Sequence, residues 1–404
     1  MSIQNPASAP QPGPAGRPVG AGVARPDPAS PEFDRLLATL SAEFAASASQ
    51  HDLDGSFPHR NFERLHEHGL LSLTVAQSLG GAGAGLADAA RVVRSVALGD
   101  PSTALVLAMQ YLTHCGQRQT RWPRHLYERV ADDAVRLGSL SNALRVEPEL
   151  GTPARGGLPG TLARRTPEGW RISGRKIYST GAPRLTWLSV WARSDDPDPL
   201  VGAWLVHRET PGIRVVESWN HLGLRASGSH EVVFEDVLVP LDHALGPVAA
   251  SLPQTALDGE LLTWGHVLVS AIYDSVARSA RDWFVGWLRE RTPSALGAPL
   301  ATLPRFQEAL GQIETWLFSN QVLLDAAIAG RVGAAEGARV KLLVTNQAIQ
   351  VVETALRLSG NPGLTRDNPL ERHYRNVLCG RVHTPQDDVV LTAAGRAALQ
   401  QAAA

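Results

Sequence analysis

Apolar residues recur at three- and four-residue spacing through PEFDRLLATLSAEFAASASQHD and NFERLHEHGLL, which predicts amphipathic helices starting at Pro31 and Asn61. GLADAARVVRSVALGD and STALVLAMQYLTHCG continue the pattern, and the second is apolar nearly all round, as an interior helix would be. From about Gly138 to Gly246 the period falls to two. GTLARRTPEGWRISGRKIYST, TWLSVWARS, LVGAWLVHRE and HEVVFEDVLVP each alternate and are bounded by Gly, Pro or Asp, which predicts an antiparallel β domain. The helical period returns in three long segments after LDHALGPVAASLPQ, with a last helix near Leu370 to Gly380. The expected organisation is therefore a flexible tail over residues 1–30, a helical domain over 31–137, a β domain over 138–246 and a helical bundle over 247–404.

Composition narrows the partners. With 404 residues, 44% of them hydrophobic, the chain can bury a large core. Lys and Arg total 38 against 39 Asp and Glu, so no net field draws the protein to nucleic acid or an anionic membrane, and a small-molecule substrate is expected. The opening 30 residues, rich in Pro, Ala and Gly, lack the apolar centre of a signal peptide. No later stretch stays apolar for the roughly 20 residues of a membrane span. Cys115 and Cys379 form neither a disulfide framework nor a zinc pattern, so a reducing cytoplasm is the expected home.

Three motifs invite chemistry and lose it on inspection. LGGAGAGLAD, residues 79–88, has the glycines of a dinucleotide loop, but the residues before it read as helix where that loop needs a strand. Ser227, Ser229 and His230 suggest a nucleophile and its base. Neighbours on a strand point to opposite faces, so Ser229 and His230 are badly placed to share a proton. The 13 histidines include no HExxH or other compact ligand set, and no metal is expected.

The order helix, sheet, helix, together with six segments, resembles the acyl-CoA dehydrogenase superfamily. FERLHEHGLLSLTVAQSLGGAGAG is similar to that family's entry helix and glycine turn, LRVEPELGTP to its T-E-P-x-x-G-S-D segment, and GRKIYSTGA to its K-x-W-I-T-N strand. LGLRASGSHEVVFEDVLVP resembles the segment that closes the β domain, LRERTPSALGAPLATLPRFQ the R-x-x-F-G…Q stretch, and LSGNPGLTRDNPLERHYRN the glycine turn and R-x-x-R-D. The resemblance covers nearly everything after the tail. It implies an α+β fold with an N-terminal helical domain, a central antiparallel β domain and a C-terminal four-helix bundle, assembled as a homotetramer around FAD or FMN. Carried over by position, Val146, Glu147, Gly151 and Thr152 would border the flavin's pyrimidine edge, and Tyr178, Ser179 and Thr180 would face its ring. Arg291 would reach a neighbouring subunit's pyrophosphate, and the turn Gly360 to Gly363 would lie by the adenosine end.

Departures from the family point to one branch of it. The dehydrogenases' catalytic Glu belongs to a Y-E-G-T motif, and the aligned residues are His383, Thr384, Pro385 and Gln386. Thr384 cannot take a proton from carbon at neutral pH. KIYSTGA and RNVLCGRVH resemble instead the two-component flavin monooxygenases, which include dibenzothiophene and hydroxylamine-forming oxygenases. That resemblance implies reduced flavin delivered by a separate reductase, a C4a-(hydro)peroxyflavin, and a small S-, N- or aromatic substrate. His383 would then be the acid–base group, because an ordinary histidine pKa lies near neutrality; the competing reading is a helix-end cap. His114, one turn beyond Gln110 where the branch often has a histidine, is a second candidate. Glu260, on the first helix of the bundle, would be the relocated base if the chain is an acyl-CoA dehydrogenase. A non-catalytic flavin-binding protein is the alternative of another class.

Overall fold

The computed structural model describes residues 27–115, 122–151, 156–251 and 259–401. Thr152 and residues 1–26 of the expected tail lie outside the described residues. The described chain opens on a turn in which Ser30 caps helix α1, Pro31–Asp54, its Oγ accepting from the Phe33 amide. Pro31 is the first helical residue, where its missing N–H costs nothing. Helices α2 (His59–Glu67), α3 (Leu86–Gly99), α4 (Pro101–Cys115) and α5 (Arg124–Leu137) complete the first block. α2 starts two residues before Asn61, whose buried amide instead donates to Thr103 on α4. α4 is buried along almost its whole length, as its unbroken apolar sequence demands. Gly81 explains part of LGGAGAGLAD: a Cβ there would lie 1.9 Å from the Val75 carbonyl oxygen, so the glycine serves close packing in a turn.

The sheet comprises β1 (Leu140–Leu144), β2 (Leu162–Thr166), β3 (Gly169–Lys176), β4 (Leu185–Ser194), β5 (Leu200–His207), β6 (Ile213–Val216), β7 (Glu231–Val239) and β8 (Val248–Ala249). Its order is β6-β7-β3-β2-β4-β5-β8, with β1 beside β4. Most pairings are antiparallel; β1–β4 and β2–β4 run parallel. The β1–β4 pairing sets β1 against α4, the seam that carries several candidate residues.

The C-terminal block holds α6 (Gly259–Glu290), α7 (Pro304–Ile328), α8 (Ala334–Ser359), α9 (Asn361–Leu364), α10 (Leu370–Leu378) and α11 (Asp387–Gln401). α11 is a helix that the period analysis did not separate. α6 is the central post, packed against α3, α4, α7, α8 and α10. Its buried Asp274 accepts from Arg278 at 2.7 Å and from Asn320 at 3.0 Å, so this interior carboxylate is matched. One hydrophobic cluster runs from Phe33 through α4 and the sheet to Val377. No helix among the described residues is long and apolar enough to cross a membrane.

Candidate functional site

The structure brings the two segments expected at the flavin ring together. The Ile177 amide donates to the Val146 carbonyl at 3.0 Å, so the turn from Val146 to Gly151 lies against the residue before Tyr178. Glu147 and Gly151 close that turn with paired backbone bonds of 2.8 and 3.3 Å, and Gly151 sits at φ 69°. Thr180 is fixed on both sides: its carbonyl accepts from Asn142 Nδ2 at 3.0 Å, and its hydroxyl lies 3.0 Å from Ser229 Oγ. The Ser179 amide donates to the His230 carbonyl. Ser229 also meets Ser227 Oγ at 2.8 Å, while His230 Nδ1 accepts from the amides of Ser218 and Trp219. Ser229 and His230 therefore face apart, and no hydrolase pair forms.

Tyr178 has a backbone φ of 55°, rare for an aromatic residue, and its ring is 52% exposed. Edge contacts at 6.1 and 5.7 Å join it to Trp219 and His221, which stack on each other at 3.7 Å. The exposed Tyr178 and His221 rings and the half-buried Trp219, beside neutral hydroxyl groups, form a surface that fits a neutral heteroaromatic ring such as a flavin's. Sequence reading missed Trp219 and His221. Their loop is pinned to α10: the Leu224 amide donates to Asn376 Oδ1 at 2.8 Å, and a Cβ on Gly223 would lie 2.2 Å from the Arg375 carbonyl oxygen. Arg375 adds a two-pronged pair to Asp52 of α1 at 2.6 and 3.0 Å.

Glu147 reaches the site with its backbone only. Its carboxylate is 3% exposed and turned inward, accepting from Lys176 Nζ at 2.5 Å, Thr161 Oγ1 at 2.6 Å and the amides of Gly160 and Thr161. Burial would raise its pKa, but the bonds from Lys176 and Thr161 hold it below the usual value; burial pushes Lys176 down to about 8 against the pull of Glu147. The pair is ionised at neutral pH. Lys176→Met is therefore expected to cost about 3–5 kcal/mol in denaturant unfolding by stranding the carboxylate, and Lys176→Met with Glu147→Leu to recover part of that loss.

The acid–base candidates do not converge. His114 is buried between α4 and β1, its Nε2 3.1 Å from Gln110 Nε2, and burial pushes its pKa down to about 4. Gln110 is itself spent on the Leu71 and Ser139 carbonyls and the Ser141 amide, a fastening of helix to strand. His383 lies in the bundle, half-buried, its ring 5.7 Å from that of Tyr273 on α6. Burial, then the charge of Lys341, lowers its pKa to about 4. The near-neutral pKa expected of His383 is therefore not what this packing gives: burial and the Lys341 charge keep the imidazole neutral well below the usual histidine range. Glu260 lies on the exposed first turn of α6, about 140° around the helix from Tyr273. Arg291, exposed just past α6, is 18 residues from Tyr273, about 27 Å along the axis, and Gly360 ends α8 at φ 63°. Among the described residues no group of three or more His, Cys, Asp or Glu could hold a metal ion.

Comparison with known proteins agrees with this architecture. Sequence models of the acyl-CoA dehydrogenase N-terminal, middle and C-terminal domains match residues 34–120, 145–237 and 269–387. YdbM of Bacillus subtilis (strain 168), whose name places it provisionally among the acyl-CoA dehydrogenases, is 31% identical over 88% of this chain and 93% of its own. L-evernosamine nitrososynthase of a Micromonospora species is 32% identical over 87% and 85%. The solved structure of KijD3 with FMN and dTDP-3-amino-2,3,6-trideoxy-4-keto-3-methyl-D-glucose superposes with a TM-score of 0.78 at 28% identity, covering 93% of this chain and 95% of that one. The chain belongs to the acyl-CoA dehydrogenase family of flavin-dependent enzymes.

Proposed function

We propose that this enzyme is a monooxygenase that uses reduced flavin and dioxygen to oxygenate a small S-, N- or aromatic substrate, with His383 as its proton-handling group. The observation that carries the reading is the place of His383, its ring 5.7 Å from that of Tyr273 in the segment where a dehydrogenase would need a carboxylate. Glu260 lies on the exposed first turn of α6, about 20 Å along the helix axis from Tyr273, the residue that His383 meets, which counts against the acyl-CoA dehydrogenase alternative. FMN is the flavin named in the KijD3 structure, and a nitrososynthase is among the relatives above 30% identity; both favour the oxygenase branch. When bound, reduced flavin supplies the two electrons with which one oxygen atom enters the substrate and the other leaves as water. The Tyr178, Trp219 and His221 rings would hold the flavin's plane, and the Thr180 and Ser229 hydroxyls its polar edge. From an N- or aromatic substrate His383 would take a proton on a ring nitrogen and return it to the leaving oxygen; a sulfur substrate has no such proton, and there His383 would only hydrogen-bond the leaving oxygen.

The test compares electron donors. The flavin-loaded protein should keep its oxidised spectrum when mixed with acyl-CoAs without oxygen. Reduced flavin bound to it should reoxidise in air through a spectrally distinct delay that free flavin lacks. Anaerobic bleaching by an acyl-CoA would instead make the chain a dehydrogenase. Glu260→Gln is expected to leave the reoxidation trace and turnover within about twofold, the scale of an exposed substitution.

A separate reductase and a homotetramer belong to the same proposal. Phe318 and Val322, one turn apart on α7, and Leu343 on α8 are 70%, 50% and 41% exposed, an apolar face suited to contact between copies. Arg291 lies too far along α6 to serve its own chain's His383 segment, as a residue lent to a neighbour would. Phe318→Glu should shift the species seen in sedimentation from tetramer to smaller forms.

A further inference from the structure

Lys341 on α8 is fully buried, which an ammonium seldom is without a carboxylate in contact. Its Nζ donates instead to the main-chain carbonyl of Pro385 at 3.1 Å. The Asp387 carboxylate stands 3.9 Å away and already accepts from Asn346 at 2.8 Å. Pro385 is half-buried, so water could serve its carbonyl at less cost than an ammonium taken out of solvent. What the ammonium holds is the short stretch between the turn Cys379–Arg381 and α11, in which His383 comes two residues before Pro385. The other end of that stretch is set by packing on the same helix, since a Cβ on Gly380 would come within 3.2 Å of both Thr345 and the Tyr273 ring. Lys341 and Thr345 lie one turn apart on α8. No hydrogen bond to another described residue holds the His383 ring, which meets the Tyr273 ring at 5.7 Å, so the imidazole points where its main chain points. The titratable groups around the stretch are His266 and Tyr273 of α6, Cys379, Lys341 and Asp387. After burial, the Lys341 charge is what lowers both His383 and His266 to about 4, which sets the ammonium near both rings.

We propose that Lys341 is the positioning residue for His383: by holding the Pro385 carbonyl, its ammonium fixes the direction in which the imidazole is presented. This deepens the oxygenase proposal, on which it rests for the task of His383. The main chain is fastened to α8 on both sides of the imidazole, once where Gly380 packs on Thr345 and once through Lys341. Proton transfer needs a ring nitrogen that stays aimed at its partner, and a small misplacement costs rate steeply. Asn346, five residues beyond Lys341, holds Asp387 and so fastens α11 rather than His383.

Diethyl pyrocarbonate acylates a neutral imidazole nitrogen, so its rate of reaction at His383, located by mass spectrometry in the oxidised, flavin-loaded protein at neutral pH, reads that presentation without substrate or reductant. Lys341→Met fills the volume of the stem but cannot donate. It should raise the His383 rate about fivefold, the scale of one lost hydrogen bond, and leave flavin affinity unchanged. Exposed His125, remote in the β-domain contact with Asp242, should label as before. Lys341→Gln, one bond too short to reach Pro385, carries the same expectation should the Met variant not fold. Lys341→Arg, whose fork can meet the Pro385 carbonyl and the Asp387 carboxylate together, should return the rate to within about twofold of the unsubstituted protein. Asn346→Ala should also leave it within about twofold. A His383 rate that neither Met nor Gln changes, an equal rise at every histidine, or an Arg variant that folds and labels as fast as Met would overturn the proposal. Bleaching by an acyl-CoA would remove the oxygenase reading and leave these labelling rates as they are, so the two failures are distinguishable.

Discussion

His383→Ala should lower turnover about 10²–10⁴-fold, roughly 3–5 kcal/mol of barrier, while flavin affinity and melting temperature stay where they are. The ring makes no hydrogen bond to another described residue, so its removal strands no partner; its contact is with the Tyr273 ring. In the proposed reading flavin binds through other residues, the Val146 to Gly151 turn, Tyr178 and Thr180. A helix-cap role predicts the reverse, a loss of about 1 kcal/mol of stability with the rate nearly intact. Measuring product formation and denaturant midpoint on one preparation separates the two. A variant that turns over normally but unfolds early would return His383 to a structural role, and the proton would have to be handled by another group, Tyr273 being the nearest phenol.

The fold was largely legible because its periods are unambiguous. STALVLAMQYLTHCG could only be an interior helix, and GWRISGRK could only be a strand with Trp170 and Ile172 on its buried side. What the periods missed has physical causes. β1 and β6 are short strands of five and four residues, too brief for alternation to stand out. α11 follows a helix and a Pro within ten residues, so its apolar positions read as a continuation of the last bundle helix.

The site was legible where chemistry is carried by the backbone and hidden where it depends on which way a side chain turns. VEPELG and KIYST could be paired from their resemblance to known segments, and the Ile177 to Val146 bond joins them. That Glu147 spends its carboxylate on Lys176 could not be read, since the two lie 29 positions apart. His114 lay one turn from the expected position, yet its partner Gln110 ties it into the α4–β1 seam. Tyr273 and His266 looked like ordinary members of an amphipathic helix. The buried Tyr273 OH and His266 Nδ1 have no hydrogen-bond partner among the described residues, a condition they share with His66, His114 and His373 elsewhere in the fold. The lowered pKa of His383 is likewise a product of packing, because Lys341 comes from a different helix.

The second large effect is expected from acid. Burial pushes His114 and His266 down to about 4 and His373 to about 3, with Lys341 adding to the shift at His266 and Arg372 at His373. Each is less than a tenth exposed, so solvent screens little of the shift. In the unfolded chain all three titrate near 6.5. Between pH 6.5 and 4 the unfolded state therefore binds more protons than the folded one, and stability must fall as pH falls through that window. Above about pH 6.5 these residues are neutral in both states and contribute no slope. Three protons correspond to a slope on the order of 4 kcal/mol per pH unit at its steepest, enough to bring a protein of ordinary stability close to unfolding near pH 5. Urea unfolding from pH 7.5 down to 4.5 should show the midpoint nearly flat at first and then dropping steeply below about pH 6. His373→Met should remove one proton from that slope. A midpoint that stays level from pH 7 to 4.5 would mean that these three histidines accept protons in the folded protein as readily as in the unfolded one, and that burial does not hold them neutral.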